Sequence, residues 1–166
     1  MSGAPDLQAI VAVDEQWGIG KNGDLLAHIS ADLRRFKALT TGHPVILGRK
    51  TLSTFPGGRP LPGRRNLILS HDPGFAPEGA EVFRDLGALL SAAPADSMVI
   101  GGESIYRALL DRCRRVYVTK ILQRFDADAW FPDLDDDWRW GREEPASPPQ
   151  EENGLRFQFV NYERLL

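Results

Sequence analysis

The stretch PVILGRKTL, residues 44–52, decides the fold class because it joins a buried strand directly to the start of a helix. Its first four residues form a short, continuous apolar run, which is typical of a strand inside a sheet. Gly48 interrupts that run, and the polar residues after it predict a short helix that ends before Pro56. A strand that leads straight into a helix is the repeating unit of an α/β fold.

Similar strands and helices are predicted on both sides of this stretch. Strands are expected at residues 7–13, 66–69, 82–83, 98–100 and 116–121, and helices at residues 31–39, 85–92 and 103–110. Residues 156–163 alternate in polarity, which predicts a final antiparallel strand. The alternation predicts an α/β fold with a central, mostly parallel twisted sheet, an antiparallel C-terminal edge and flanking helices.

Two segments are predicted to be loops. Residues 14–29 are polar and contain several glycines, and a loop of that length in a small domain is usually functional. Residues 145–154 are rich in proline and predict a surface loop. Ser30 directly follows the first of these loops and is the expected N-cap of the first helix.

Composition excludes several classes of protein. A length of 166 residues predicts one domain spanning 1–166, and a net charge of -3 does not favour a nucleic-acid partner. Cys113 is the single cysteine, so no intrachain disulfide can form and a reducing cytoplasm is expected. The first six residues do not resemble a secretory leader, and no apolar stretch is long enough to span a membrane. The three histidines lack metal-ligand spacing, so no metal is expected.

Asp32 is the first candidate for chemistry. It lies in the first turn of the helix at residues 31–39, on the side that Leu33, Phe36 and Leu39 share, whereas Arg34, Arg35 and Lys37 fall mostly on the other side. One interpretation is a charge that complements the helix dipole. The other is an acid facing an apolar pocket, where a planar ligand with adjacent N–H donors would satisfy it.

Two junctions between a strand and a helix are candidates for binding phosphate. Residues 48–51 read GRKT, and residues 100–103 read IGGE. Glycines allow the backbone to approach a ligand closely at the carboxyl ends of strands, and helix N-termini favour anions. Each junction alone could equally be a solvated or tight turn. Neither standard nucleotide-binding fingerprint occurs.

Two further residues have both a chemical and a bland interpretation. Arg64 sits in a proline-stiffened loop and could grip a carboxylate, or could simply solubilise that loop. Cys113 has basic neighbours that could lower its pKa, although a half-buried structural thiol is the more ordinary interpretation.

Seven segments occur in a fixed order and spacing along the chain. They are IVAVD (10–14), GIGKNGDL (18–25), ADLRRFK (31–37), PVILGRKT (44–51), RPLPGR (59–64), VIGG (99–102) and WFP (130–132). Each is weak alone, but together they resemble the dihydrofolate reductase family. The resemblance covers about residues 10–132. It implies an NADPH-dependent reductase of dihydrofolate that serves one-carbon metabolism and binds antifolates. A monomer is the default expectation, because no feature of the sequence suggests an interface.

The resemblance also implies roles for individual residues. Asp32 would bind the pterin 2-amino group and ring N3, and Thr119 would support it through a hydrogen bond. The implied catalytic set is Asp32, Leu25 and Thr119. The implied substrate pocket is formed by Ile10, Leu25, Leu33, Phe36, Phe55 and Leu61, with Arg64 on the glutamate α-carboxylate.

The implied cofactor residues fall into four groups. Ala12, Ile19 and Tyr106 would lie near the nicotinamide. Arg49, Lys50 and Thr51 would meet phosphates, with Gly101 and Gly102 beside the pyrophosphate. Arg49, Ser70 and His71 would lie near the adenosine 2′-phosphate, which would favour NADPH over NADH. The remaining implied cofactor residues are Gly20, Gly48, Leu69, Ile100, Glu103, Ser104 and Ile105.

One segment departs from the family's pattern. The family commonly has Leu-Pro-Trp before its active-site helix, whereas this chain has Leu25, Leu26 and Ala27. Ala27 leaves space where a tryptophan helps to place a water beside the acid. We therefore predict a wetter or reshaped pocket.

Two other functions compete with this interpretation. The first is a related reductase of the same fold that acts on a pyrimidine or another pteridine, and the second is a binding protein without turnover. Asp32 in its helix and Arg64 in PLPGR both favour folate.

Overall fold

A computed structural model describes residues 6–166, so the prediction about a leader lies largely outside the described residues. The strands are β1 Leu7–Val13, β2 Gly18–Lys21, β3 Asp24–Leu25, β4 Val45–Gly48, β5 Asn66–Leu69, β6 Glu81–Phe83, β7 Met98–Gly101, β8 Cys113–Ile121, β9 Ala129–Trp130, β10 Trp140–Arg142, β11 Gln150–Glu152 and β12 Leu155–Arg164. The helices are α1 Ser30–Thr40, α2 Arg49–Leu52, α3 Leu86–Ala92 and α4 Glu103–Leu109.

The main sheet confirms the predicted α/β fold. Its strand order is β10-β12-β8-β1-β7-β4-β5-β6, with β11 also paired to β12. The strands from β8 to β6 in that order are parallel, whereas β12 is antiparallel to β8. Strands β10 and β11, which the sequence analysis missed, pair with β12 and extend the predicted antiparallel edge.

The apolar runs of the parallel strands are buried on both faces of the sheet. Ile46 and Val99 belong to a cluster that includes residues of α3 and α4, whereas their neighbours Leu47 and Ile100 pack in a second cluster with residues of α1. Successive side chains of a strand point to opposite faces, so a strand covered on both sides must be apolar throughout. This explains why such runs predicted the strands correctly.

The prediction of loops without strands was wrong in two places. Residues 14–29 contain β2 and β3, which form a three-stranded sheet with β9. Residues 145–154 contain β11. These strands are two to four residues long, so their polarity patterns are too short to be recognised.

The prediction that Ser30 caps the first helix was also wrong. Ser30 is the first residue of α1, Ile29 holds the N-cap position, and its side chain makes no capping hydrogen bond. The Glu152 carboxylate accepts from the backbone N–H of Ser30 at 2.6 Å and from that of Ala31 at 3.2 Å. The β11–β12 hairpin therefore supplies the cap from 122 residues away. Within residues 6–166, no helix combines the length and apolar character needed to cross a membrane.

Candidate active site

Asp32 and Thr119 meet between α1 and the centre of the main sheet. Thr119 is buried on β8, where it is the register partner of Ala12 on β1. Its Oγ1 donates a hydrogen bond to Asp32 Oδ1 over 2.5 Å. The structure therefore joins two of the three residues expected to be catalytic. The third, Leu25, ends β3 and is 43% exposed.

The electrostatics of Asp32 reflect a carboxylate held close to an apolar interior. Burial raises the pKa of the Asp32 carboxyl above its ordinary value, while the hydrogen bond from Thr119 and the charge of Arg35 oppose that rise. Such an acid gains from a ligand that offers N–H donors, because those donors compensate the ionised form for lost water.

Arg35 is a neighbour of this acid that the sequence analysis placed with the outward-facing residues of α1. Its guanidinium lies 4.3 Å from the centre of the Phe159 ring and donates to Asn161 Oδ1 at 2.8 Å. Residues three apart on a helix are neighbours on its surface, so this spacing from Asp32 was the available signal. Burial lowers the pKa of Arg35, opposed by the nearby Asp32 charge.

An apolar wall continues from Asp32 along α1. Ile10, Phe36, Phe55 and Leu61 pack in one cluster, which brings together four of the residues expected to surround a substrate. Leu25 and Leu33, the two other residues predicted for this pocket, are 43% and 46% exposed. An apolar surface that ends in a polar pair is typical of a small-molecule site.

Arg64 lies beside the other end of α1. Its Nη1 donates to Thr40 Oγ1 at 2.9 Å, and its Nε donates to the Pro62 carbonyl at 2.8 Å. Burial lowers the pKa of Arg64 from its ordinary value. The loop predicted to be stiff therefore holds this guanidinium in one place, at the opposite end of the wall from Asp32.

A second group of predicted residues meets at the carboxyl ends of the parallel strands. Gly48 pairs with Leu69, and Leu47 pairs with Gly101, so β4, β5 and β7 end side by side. The residues expected at this edge are Gly48, Arg49, Lys50, Thr51, Leu69, Ser70, His71, Ile100, Gly101, Gly102, Glu103, Ser104 and Ile105. Open α/β sheets bind ligands at this edge.

Two glycines at this edge lie close to neighbouring side chains. A Cβ added to Gly102 would lie 3.2 Å from Thr51 Oγ1, and one added to Gly48 would lie 3.2 Å from Ile105 Cγ1. The Gly101–Gly102 peptide bond is cis, and Gly101 has a φ of 121°. Because Gly48 and Gly102 have no side chains, the two junctions lie close together and their backbone atoms are not covered by a Cβ.

The charged residues of this edge are partly engaged already. Arg49 Nη1 donates to Asp72 Oδ2 at 2.8 Å, and its guanidinium lies 5.1 Å from the centre of the Phe75 ring. Glu103 accepts from the backbone N–H of Trp130 at 2.8 Å, so its carboxylate ties α4 to β9. Lys50 and His71 are exposed.

The residues expected near a nicotinamide lie on β1, β2 and α4. Ile19 and Gly20 are on β2, and Ala12 is on β1. The Tyr106 hydroxyl donates to the Ile10 carbonyl at 2.6 Å, and burial raises the pKa of this tyrosine. This bond links α4 to β1, at the boundary between the apolar wall and the glycine edge.

Ala27, which stands where the family commonly has tryptophan, packs near a small cluster that includes Ile29, Ile121 and Phe157.

Cys113 is buried, and its Sγ donates to the Leu109 carbonyl at 3.4 Å. Burial raises the pKa of this thiol to about 12, which fits the structural interpretation. Across the described part of the chain, no cluster of three or more His, Cys, Asp or Glu could hold a metal ion.

Comparison with known proteins identifies this arrangement. The profile of the family described as "Dihydrofolate reductase" matches residues 6–164. The chain is 40% identical to dihydrofolate reductase type 3 of Salmonella typhimurium over 149 residues, which cover 88% of this chain and 90% of that protein. It is 36% identical to dihydrofolate reductase of Bacillus subtilis over 158 residues, which cover 93% and 92%.

A solved structure agrees with the sequence comparisons. Dihydrofolate reductase from Enterococcus faecalis, complexed with NADP(H) and RAB-propyl, superposes with a TM-score of 0.82 at 33% identity, covering 98% of this chain and 96% of that one. The family match spans nearly the whole described chain, and the fold agrees along its length. This chain therefore belongs to the dihydrofolate reductase family.

Proposed function

We propose that this chain reduces 7,8-dihydrofolate to 5,6,7,8-tetrahydrofolate with NADPH, and that residues 1–166 act as one catalytic domain. The observation that carries the proposal is the Asp32–Thr119 pair at one end of an apolar wall that has Arg64 at its other end. The product would serve one-carbon metabolism. A cytoplasmic location and a monomeric state stay predictions.

The length of α1 supports an elongated substrate. Thr40, the contact of Arg64, lies eight positions after Asp32, which at 1.5 Å per residue corresponds to about 12 Å along the helix. Asp32 would pair with the 2-amino group and N3–H of the pterin. Arg64 would hold the α-carboxylate of the glutamate tail, and the wall between them would contact the pterin and aminobenzoyl rings.

The glycine edge fits a dinucleotide cofactor. Gly48 and Gly102 lie where a Cβ would crowd the neighbouring junction, so their backbone is free to approach a pyrophosphate. Arg49, Lys50 and Thr51 supply cations and a hydroxyl for phosphate groups. Arg49 and the turn at Ser70 would contact the adenosine 2′-phosphate, which favours NADPH over NADH.

The protein's contribution to the reaction is positioning and electrostatics. When bound, NADPH supplies the hydride that goes to pterin C6. Asp32 in its ionised form fixes the orientation of the pterin so that C6 faces the nicotinamide. In that orientation Asp32 would lie at the edge of the pterin away from N5, so solvent water would bring the proton to N5. Ile19 and Gly20 would cover the nicotinamide and exclude bulk water.

A truncated substrate tests the proposal. Wild-type protein should consume NADPH, followed by its absorbance, when dihydrofolate is added. Arg64→Ala should raise KM for dihydrofolate but leave KM nearly unchanged for a dihydropteroate, because the latter ends in a benzoate and lacks the glutamate α-carboxylate that Arg64 would hold. Arg59→Ala, at an exposed neighbour in the same loop, is the matched control. If the wild-type protein does not oxidise NADPH in the presence of dihydrofolate, the reductase proposal is refuted, even if the protein binds folate.

A further inference from the structure

Asp14 is a buried acid that the proposed reaction does not use. It follows β1 directly and is 3% exposed. Among residues 6–166 it forms no ion pair with Lys, Arg or His. A buried carboxylate without a cation is costly unless hydrogen bonds compensate it, so its contacts deserve a functional explanation.

Three backbone N–H groups satisfy this carboxylate. Oδ1 accepts from Gln16 at 2.8 Å and from Gly18 at 2.7 Å, while Oδ2 accepts from Phe125 at 2.9 Å. The first two donors lie just before β2 and at its first residue. The third belongs to the segment between β8 and β9, which is 111 residues away in sequence. The two oxygens of one carboxylate therefore join two separate segments.

The joined segments also contact each other around this acid. The Glu15 N–H donates to the Gln123 carbonyl at 3.1 Å, and the Asp128 N–H donates to the Gly20 carbonyl at 2.9 Å. A Cβ added to Gly18 would lie only 2.6 Å from the Ala127 Cβ. The approach is so close that a methyl group at position 18 would push the segments apart.

We propose that Asp14 is a positioning residue for hydride transfer. Its carboxylate holds the segment bearing Ile19 and Gly20 against the segment bearing Phe125 and Ala127. This inference rests on the proposed function, because Ile19 and Gly20 are expected to cover the nicotinamide. Asp14 lies beyond the end of β1 and touches neither reactant. It acts through the backbone of β2, whose placement sets the distance between the reacting carbons.

The variant Asp14→Asn separates the two roles of the carboxylate. The amide oxygen can still accept from Gln16 and Gly18 at the position of Oδ1. The amide nitrogen then faces the Phe125 N–H, so two donors meet and the link between the segments is lost. Glu15→Gln is the matched control, because Glu15 is adjacent but exposed.

The readout is the rate of hydride transfer in a single turnover, measured with NADPH and with its deuterated form. Asp14→Asn should slow hydride transfer by about 10- to 100-fold, and the deuterium isotope effect on kcat should rise because chemistry becomes limiting. KM for dihydrofolate should change little, since the Asp32 end of the cleft is untouched. Glu15→Gln should match wild type.

A second pair of variants tests the same contact without changing Asp14. Gly18→Ala should slow hydride transfer because its methyl group meets Ala127 and Asp14 Oδ1. Adding Ala127→Gly removes the closest of those atoms and should restore part of the rate. If Asp14→Asn does not fold, rescue of Gly18→Ala by Ala127→Gly supports the proposal, and absence of any slowing in Gly18→Ala overturns it.

The outcomes distinguish this inference from the proposed function. A wild-type protein that does not oxidise NADPH refutes the proposed function. A wild type that does so, with a folded Asp14→Asn variant that transfers hydride within about twofold of its rate, refutes the positioning role alone. Equal loss of rate in Glu15→Gln would also overturn it, because the effect would then not be specific to the buried carboxylate.

Discussion

Replacing Asp32 by asparagine should remove most of the activity while leaving the fold intact. The side chain keeps its shape, and Thr119 can still donate to the amide oxygen at the position where it now donates over 2.5 Å. The amide nitrogen would then face the pterin, which offers donors of its own. Both charge-assisted hydrogen bonds to the substrate are lost as a result.

The size of the effect follows from those two bonds. A hydrogen bond to a charged group contributes about 1.5–3 kcal/mol, so the pair accounts for about 3–6 kcal/mol of transition-state binding. At about 1.4 kcal/mol for each factor of ten, kcat/KM should fall by about 10²- to 10⁴-fold. The assay is NADPH oxidation with dihydrofolate, beside Asp111→Asn, an exposed acid on another surface, as the control.

Stability should move in the opposite direction. Because burial raises the folded-state pKa of Asp32, the acid's favourable contribution is complete below its unfolded pKa and is lost as pH rises through the folded pKa. The urea midpoint of the asparagine variant should therefore rise relative to that of wild type as pH rises toward neutrality.

A kcat/KM within tenfold of wild type, in a folded variant, would refute the anchoring role of Asp32.

Four further changes have definite expected outcomes. Thr119→Val removes a donor that lowers the pKa of Asp32, so Asp32 should become protonated at higher pH. The pH below which binding of a diaminopyrimidine weakens should therefore be higher than in wild type or Thr119→Ser, and an unchanged profile would contradict this. Ala27→Trp should alter both turnover and diaminopyrimidine affinity by filling space near the acid, and no change in either would refute the idea. Glu152→Gln weakens the cap on α1 and should lower the urea midpoint relative to Glu151→Gln, with equal midpoints as the contrary result. Asp72→Asn removes the acid that pairs with Arg49, so NADPH should bind more tightly while NADH affinity stays the same; equal tightening for both cofactors would contradict a 2′-phosphate site there.

The central sheet could be predicted because its strands obey a simple rule. Strands such as β4 and β7 are covered on both faces, so their sequences are apolar without interruption, and each ends at a glycine. Asp32 could be placed on the inner side of α1 because helical spacing puts it with Phe36. These are local patterns, and local patterns survive in a single sequence.

The missed features depend on partners that are distant in sequence. The Glu152 cap and the Asp14–Phe125 bond each join residues more than 100 positions apart, and nothing near either residue indicates its partner. Arg35 was grouped with the outward residues because it is charged, yet its long side chain packs on the Phe159 ring and its charge lies near Asp32. Long-range pairing and flexible cations are what sequence patterns represent least well.

The position of β7 in the sheet has a consequence for how the molecule can be assembled. This strand lies between β1 and β4, although it follows both of them in the chain. A fragment that stopped before Met98 would lack both neighbours of β1 and one neighbour of β4, and such unpaired edges accept foreign strands. The half of the molecule that begins at β7 would therefore be a natural complementing piece: two fragments cut between α3 and β7, each inert alone, should recover activity when mixed.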